Sequence, residues 1–177
     1  LVDFSNVYYV GQDGVLAREG SKIKDVNSQA DFAGQRLGVQ EFTVYEDWAR
    51  TELINVGIIA EEQLFTFATP EQAVNELEKG NLELVMMDFK PAMVAMSEKK
   101  VELVGQGLNM QRFAMAMKKG STALQTKINE ALTTLQNEGV LAALSGKYLG
   151  LKLGDIIPPP PPPTPVPMVR PTTTFPP

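Results

Sequence analysis

The sequence contains neither cysteine nor histidine among its 177 residues. Disulfide bonds, thiolate nucleophiles, imidazole bases and the usual zinc ligands are therefore excluded. Catalysis would have to depend on carboxylate, lysine, tyrosine or hydroxyl side chains. The sequence thus favours a binding protein over an enzyme, and it indicates no cofactor.

An excess of positive charge and long apolar runs are also missing. The formal net charge is −5, which argues against nucleic acid as the main partner, because phosphate binding needs clustered lysine and arginine. No apolar run approaches the roughly 20 residues that cross a bilayer. The first residues lack the basic start and apolar core of a signal peptide, so the chain is either cytoplasmic or has lost its true N-terminus.

Proline is scarce until the C-terminal end, where it dominates. All but two of the 13 prolines follow Ile157, in the run PPPPPPTPVPMVRPTTTFPP. Such a segment cannot form a hydrophobic core, so we expect residues 156–177 to be an extended, disordered tail of the polyproline II type. The tail is either a spacer or a ligand for an aromatic-lined groove.

Before the tail, strands and helices alternate. The periodicity predicts strands at 35–40, 63–68, 82–88 and 101–107, with helices at 44–56, 70–79 and 89–100 between them. The apolar face of the helix at 44–56 is predicted to consist of Tyr45, Trp48, Ala49, Leu53 and Val56. This alternation predicts a parallel sheet with helices on its faces. Ligands of such sheets bind beyond the carboxyl ends of the strands.

Strand-like segments at 14–19 and 112–120 flank this region, and helices are predicted at 122–137 and 140–149. A chain that leaves one region, forms an inserted lobe and returns through a second strand predicts two lobes with a hinge.

The turn after the strand at 35–40 has the pattern of a helix start. In GVQEFTVYEDW, Thr43 stands three residues before Glu46, which is the spacing of a capping box. The amides at a helix N-terminus also attract anions. Thr43 therefore either caps the helix alone or caps it and contacts a ligand.

Four segments carry a resemblance when they are taken in order: VDFSNVYYVGQDGVLARE, DFAGQRLGVQEFTVYEDW, EQAVNELEKGNLELVMMD and RFAMAMKKGSTALQTKINEALTTLQNEGVLAALSGKYLG. Together they resemble the family-3 solute-binding proteins, the extracytoplasmic amino-acid-binding proteins of bacterial ABC transporters. The resemblance covers residues 2 to about 150.

The resemblance implies an α/β fold of the periplasmic-binding-protein type, in which two lobes joined by two crossing strands close on a ligand. We expect one complete parallel-sheet lobe and a partial second lobe. Residues 1–20 would form part of lobe 1 and the first crossing strand, and residues 21–110 the inserted lobe 2. Residues 111–155 would form the returning strand and the C-terminal helices of lobe 1.

In this family, lobe 1 usually begins some tens of residues upstream of VDFS and carries there an arginine that holds the ligand's carboxylate. The resemblance therefore implies that the chain is N-terminally truncated or that its lobe 1 depends on another chain. An incomplete lobe would expose apolar side chains around Phe4, Phe113 and Met115, which would favour self-association.

The resemblance also implies a ligand site. Family members often carry Gly-Thr-Thr at the turn that binds the ligand's carboxylate, where this chain has Phe42, Thr43 and Val44, so that only Thr43 matches. Asp88 matches the acidic residue that pairs with the ligand's amino group. Alternatively, Asp88 is the N-cap of the helix that begins near Phe89.

Other candidates have two interpretations each. Phe42 either walls an apolar pocket or packs against the neighbouring helix. Tyr8 and Tyr9 either border the cleft or belong to the core. Glu41 and Lys90 either tune specificity or are merely solvated charges.

The function implied is binding of a small amino acid or related zwitterion for delivery to the membrane permease of an ABC transporter. The location implied is periplasmic or extracellular, in association with the membrane. Two alternatives stay open: a sensing domain of a signalling protein, and an enzyme related to dehydratases or lytic transglycosylases on the same fold. Fold alone does not separate these functions.

Overall fold

The structure is a computed structural model that describes residues 2–149, so the predicted proline-rich tail lies outside the described residues. Its elements confirm the predicted alternation of strands and helices. In chain order they are β1 (Val2–Phe4), β2 (Tyr9–Gly11), β3 (Asp13–Arg18), β4 (Leu37–Gln40), α1 (Val44–Ala49), β5 (Leu64–Phe67), α2 (Pro70–Lys79), β6 (Leu84–Asp88), α3 (Phe89–Glu98), β7 (Val101–Gln106), β8 (Gln111–Phe113), β9 (Ala116–Lys118), α4 (Thr122–Asn137) and α5 (Val140–Leu149).

A five-stranded sheet with the order β5-β4-β6-β3-β7 forms the centre of the fold. Strand β4 pairs in parallel with β5 and β6, whereas β3 pairs antiparallel with both β6 and β7. Strands β4 to β7 therefore run in one direction, as predicted. The sheet is nevertheless mixed and not purely parallel, because β3 lies between β6 and β7 in the opposite direction.

Strand β3 lies in the interior of the five-stranded sheet. The sequence predicts the segment 14–19 as a flanking strand outside the lobe, but β3 lies inside the sheet. Val15 and Ala17 contribute to the core on one face of the sheet, and Leu16 to the core on the other. A strand that is buried on both faces belongs in the interior of a sheet. The sheet therefore includes Asp13–Arg18, and the division of the chain into lobes remains a prediction.

Helix α1 is shorter than predicted. It ends at Ala49, and the chain continues as one π-helical turn, Arg50–Ile54. Tyr45, Ala49 and Leu53 are buried as predicted, but Val56 is 62% exposed. The wider turn accounts for this difference, because an additional residue per turn rotates the following side chains away from the predicted face.

Two short antiparallel ribbons connect the sheet to the C-terminal helices. Strand β2 pairs with β8, and β1 pairs with β9. Helix α4 lies against β1, since the Gln125 side chain donates a hydrogen bond to the Phe4 carbonyl (2.8 Å). The assignment of these ribbons to crossing strands, and of α4 and α5 to lobe 1, remains a prediction.

Within residues 2–149, no helix combines the length and hydropathy that a membrane span requires.

Candidate functional site

Tyr45 connects three elements at the carboxyl end of the parallel strands. Its hydroxyl donates a hydrogen bond to Asp88 Oδ1 (2.5 Å) and accepts one from Gln111 Nε2 (2.7 Å). Tyr45 belongs to α1, Asp88 ends β6, and Gln111 begins β8. The hydrogen-bonded group therefore joins the sheet lobe to one of the ribbons.

The carboxylate of Asp88 is exposed and faces Tyr45. Asp88 occupies the N-cap position of α3, but its side chain makes no capping hydrogen bond. Asp88 is therefore the N-cap residue by position, as one interpretation predicted, but its side chain does not cap the helix. The carboxylate of Asp88 thus lies at the end of β6, and one of its oxygens accepts a hydrogen bond from the Tyr45 hydroxyl.

Thr43 occupies the N-cap position of α1, yet the predicted capping box is wrong in both of its hydrogen bonds. The Thr43 hydroxyl donates to the Gln40 carbonyl (2.7 Å) instead of accepting from the helix. The Glu46 carboxylate accepts from the amide of Phe42 (2.8 Å), one residue earlier than a capping box requires. Thr43 therefore closes the turn onto the end of β4.

Phe42 has a left-handed backbone conformation with φ 59°, which a bulky residue rarely adopts. Its side chain is 94% exposed, so the interpretation that Phe42 packs against the neighbouring helix is wrong. This conformation is the one that glycine adopts without strain, and glycine is frequent here in the family that the sequence resembles.

The first and last residues of this turn form hydrogen bonds with neighbouring segments. The amide of Glu41 donates to the Phe67 carbonyl of β5 (2.9 Å). The carbonyl of Val44 accepts from the Asn109 side chain (3.3 Å), and the side chain of Val44 is exposed. The turn at 41–44 thus lies between β5 and the loop that follows β7.

Of the two tyrosines that were predicted to border the cleft, Tyr9 is influenced by the charge of Asp88. Its ring is half-buried, with its centre 5.3 Å from that of Phe113. Burial raises the pKa of Tyr9, and the charge of Asp88 raises it further. Tyr8 is also half-buried, and its amide donates to the Phe113 carbonyl (3.0 Å).

The environment of Tyr45 keeps its hydroxyl protonated. Burial is the largest cause that raises its pKa, followed by the hydrogen bond to Asp88 and then by the charges of Asp88 and Asp13. The hydrogen bond from Gln111 acts in the opposite direction. Tyr45 is therefore a fixed donor toward the carboxylate.

Sequence reasoning assigned Tyr45 to the apolar face of a helix, and it did not single out Gln111, Asn109 or Asp13. A usable signal was available for Tyr45. A buried tyrosine needs a partner for its hydroxyl, and Asp88 was the acidic residue predicted at an adjacent strand end.

Lys90 lies away from this group of residues. Its ammonium donates to the carbonyl of Tyr148, and its side chain lines a groove of about 340 Å³ between α2 and α3. Met87 also lines this groove, and consecutive strand residues point to opposite faces of a sheet. The groove is therefore on the face opposite Asp88.

An exposed carboxylate that is oriented by a tyrosine suits a cationic group, which it binds by charge-assisted hydrogen bonds. Among the described residues, no three acidic side chains lie close enough together to hold a metal ion. The architecture and the site together are those of a protein that binds a small solute.

The chain belongs to the bacterial extracellular solute-binding proteins, family 3, whose sequence model matches residues 1–151. This match confirms the resemblance seen in the sequence.

Individual proteins agree with this assignment. The L-cystine-binding protein TcyJ of Escherichia coli (strain K12) is 25% identical over 150 residues, which are 84% of this chain and 54% of TcyJ. The ABC transporter glutamine-binding protein GlnH of Bacillus subtilis (strain 168) is 26% identical over 150 residues, 84% of this chain and 52% of GlnH. The chain thus spans about half the length of these curated relatives.

Solved structures support the fold. A histidine kinase sensor domain with similarity to periplasmic binding proteins superposes with a TM-score of 0.66 at 20% identity, covering 89% of this chain and 65% of that domain. This confirms the predicted α/β fold of the periplasmic-binding-protein type.

Proposed function

We propose that this chain binds a small amino acid or related zwitterion and delivers it to the permease of an ABC transporter. The observation that carries the proposal is the exposed carboxylate of Asp88, oriented by Tyr45 at the carboxyl end of β6. Family membership and relatives whose names specify L-cystine and glutamine support the same class of ligand.

In this proposal the ligand's ammonium group binds Asp88. Oδ1 already accepts the Tyr45 hydrogen bond, and among the described residues no hydrogen bond reaches Oδ2. A primary ammonium has three donors and can reach that oxygen while it remains partly solvated. Tyr9, whose pKa is raised partly by the charge of Asp88, would border the bound ligand together with Tyr8.

The ligand's carboxylate would lie toward the turn at the start of α1. Glu41, Phe42, Thr43 and Val44 form this turn, and the exposed ring of Phe42 would cover one side of the ligand. Closure of two lobes around the ligand would be driven by contacts that exist only in the closed state.

The family is described as extracellular, and we place this chain in the periplasm or outside the cell. Association with the membrane through a permease is part of the proposal. Since the family binds solutes, we expect the bound amino acid to be recovered chemically unchanged. Mass spectrometry after prolonged incubation tests this, and a modified amino acid would favour an enzyme.

Calorimetric titration with L-glutamine, L-cystine, L-arginine and L-serine tests the ligand class. We expect saturable binding of at least one of them and an affinity at least 10-fold lower for Asp88→Ala, which corresponds to about 1.4 kcal/mol. The matched control is Glu62→Ala, which removes one exposed carboxylate two residues before β5, at the opposite end of the parallel strands. Equal affinities of Asp88→Ala and the control would remove Asp88 from the site.

A sensing domain is the second candidate, favoured by the fold similarity to a histidine kinase sensor domain. Both candidates bind a ligand, so the partner separates them. Stimulation of a permease–ATPase in proteoliposomes by the ligand-loaded protein would support delivery. Ligand binding without stimulation would favour sensing.

A further inference from the structure

Asp13 and Asp88 occupy directly opposite positions in the antiparallel pair of β3 and β6. Opposite residues of such a pair project from the same face of the sheet, with Cβ atoms about 4.5–5.5 Å apart. Like charges at opposite positions destabilise a sheet. The two carboxylates are thus adjacent at the end of the sheet where the proposed ligand site lies.

The carboxylate of Asp13 is fully buried and only half satisfied. Its Oδ1 accepts a hydrogen bond from the amide of Asn109 (2.6 Å), whereas Oδ2 has no partner among the described residues. None of the ion pairs within residues 2–149 includes Asp13 or Asp88. A buried polar atom without a partner is costly, so this arrangement requires an explanation.

The two carboxylates act on the same hydroxyl group. After burial and the hydrogen bond to Asp88, the charges of Asp88 and Asp13 both raise the pKa of Tyr45. The charge of Asp13 therefore acts on the same Tyr45 hydroxyl that donates a hydrogen bond to Asp88.

We propose that Asp13 is a second, buried carboxylate of the ammonium-binding site, and that its charge adds to that of Asp88 to bind a primary ammonium group. Because Asp13 is fully buried, it acts through its electric field and Asp88 makes the contact. The ammonium supplies the positive charge that the described part of the protein does not provide. This inference rests on the proposed function for the identity of the ligand as an amino acid, but not for its charge.

A purely structural role is the competing explanation. Asp13 would then only hold the loop after β7 through its hydrogen bond to Asn109. The two explanations separate when the charge alone is removed: a purely structural role leaves ammonium binding unchanged, whereas the proposed role predicts that it weakens. Asp13→Asn does this, because the amide oxygen of asparagine can still accept the Asn109 hydrogen bond.

The test uses the full chain, with Glu62→Gln as the control for loss of one exposed charge. Melting temperatures are measured without ligand, and then with methylammonium chloride or sodium chloride at equal ionic strength. We expect Asp13→Asn to melt at or above the wild-type temperature. We also expect methylammonium to stabilise the wild type more than sodium does, and this difference to disappear in Asp13→Asn but not in the control.

Amino-acid binding and a double-mutant cycle complete the test. For an amino acid that binds the wild type, we expect Asp13→Asn to lower the affinity at least fivefold. The loss should be smaller when Asp88 is already asparagine, because the two charges act on one ammonium.

The outcomes separate this inference from the proposed function. If methylammonium stabilises the protein in an Asp13-dependent way but no amino acid binds, the inference holds and the proposed function fails. If an amino acid binds wild type and Asp13→Asn equally, the inference is overturned and the proposed function stands. An Asp13→Asn protein that is less stable than the wild type, or that does not fold, shows a structural role and also overturns the inference. A wild type that is not stabilised by methylammonium and that binds no amino acid also overturns the inference.

Discussion

Tyr45 combines two roles that are usually assigned to different residues. Its ring belongs to the core on one face of the sheet, while its hydroxyl forms hydrogen bonds with Asp88 and Gln111 at the edge of the proposed site. A tyrosine can do this because its body is apolar and its tip is polar. The stability of the core and the orientation of the carboxylate therefore depend on one side chain.

Replacement of Tyr45 by phenylalanine removes both hydrogen bonds and keeps the ring. We expect the free energy of unfolding to fall by about 1–2 kcal/mol, because one lost partner is a carboxylate and Gln111 is partly buried. Affinity for the amino acid should also fall, since Asp88 is no longer oriented. Urea unfolding and calorimetry measure the two effects.

Tyr8→Phe is the matched control, because the Tyr8 hydroxyl makes no hydrogen bond with another described residue. It should change stability little. If Tyr45→Phe resembled Tyr8→Phe in stability and kept the wild-type affinity, the hydroxyl of Tyr45 would have no organising role.

Residue-level prediction succeeded where local chemistry decides and failed where the tertiary partner decides. Asp88 was found at its strand end because a strand followed by an acid is visible in the sequence. Thr43 and Glu46 matched a capping pattern, but next to the left-handed Phe42 the Glu46 carboxylate accepts from the amide one residue earlier, and the Thr43 hydroxyl donates to the Gln40 carbonyl. Asp13 was missed because only the β3–β6 register places it beside Asp88.

Among the helices and strands too, features set by local sequence were predicted correctly, whereas features set by distant partners were not. Helix α2 begins and ends as predicted, since the Thr69 hydroxyl accepts from the Gln72 amide and Gly80 adopts φ 85° at the C-terminus. Strand β3 was correctly predicted as a strand, but its place inside the sheet depends on pairing with segments some 70 to 90 residues away. Such pairing leaves little trace in a local window of sequence.

The starts of β4 and β6 are joined by an ion pair whose effect depends on pH. The guanidinium of Arg36 donates to both oxygens of Glu83, the closest contact being 2.6 Å, and these hydrogen bonds are the main cause that lowers the pKa of Glu83. A carboxylate with a lowered folded-state pKa stabilises the protein above its ordinary pKa of about 4.5. That contribution is lost as the pH falls through the lowered value.

Glu83→Gln should therefore be less stable than the wild type at pH 7, and the difference should shrink below about pH 4.5. We expect the free energy of unfolding to differ by no more than about 1 kcal/mol at pH 7, because the ion pair is partly exposed and screened by solvent. Denaturant unfolding from pH 7 to pH 3 measures this difference, with Glu62→Gln as the control. A difference that stayed constant over this range would assign the effect to packing and not to charge.

At the scale of the molecule, apolar side chains near the ribbons and C-terminal helices are poorly covered. Phe4, Phe113 and Met115 are 56%, 39% and 42% exposed, which confirms the predicted exposure. In α4, Leu132 is buried, whereas Leu124 and Leu135 are exposed. The apolar surface of this region is thus separate from the core of the sheet lobe.

We propose that this surface supports association between copies of the chain. Light scattering coupled to size-exclusion chromatography should give a mass above 19.4 kDa that increases with concentration. Phe4→Ser combined with Leu124→Ser should shift the population toward the monomer. A wild-type mass that corresponds to the monomer at every concentration would contradict this proposal.

The central claim is that an amino acid binds where Asp88, Tyr45 and Gln111 meet. The most direct test is a two-dimensional ¹H–¹⁵N NMR titration of the chain with L-glutamine and with L-cystine. The account predicts saturable shifts of the amides at 42–45, 88 and 111, with little change in the groove between α2 and α3. Saturable shifts confined to that groove, or no shifts with either amino acid, would contradict it.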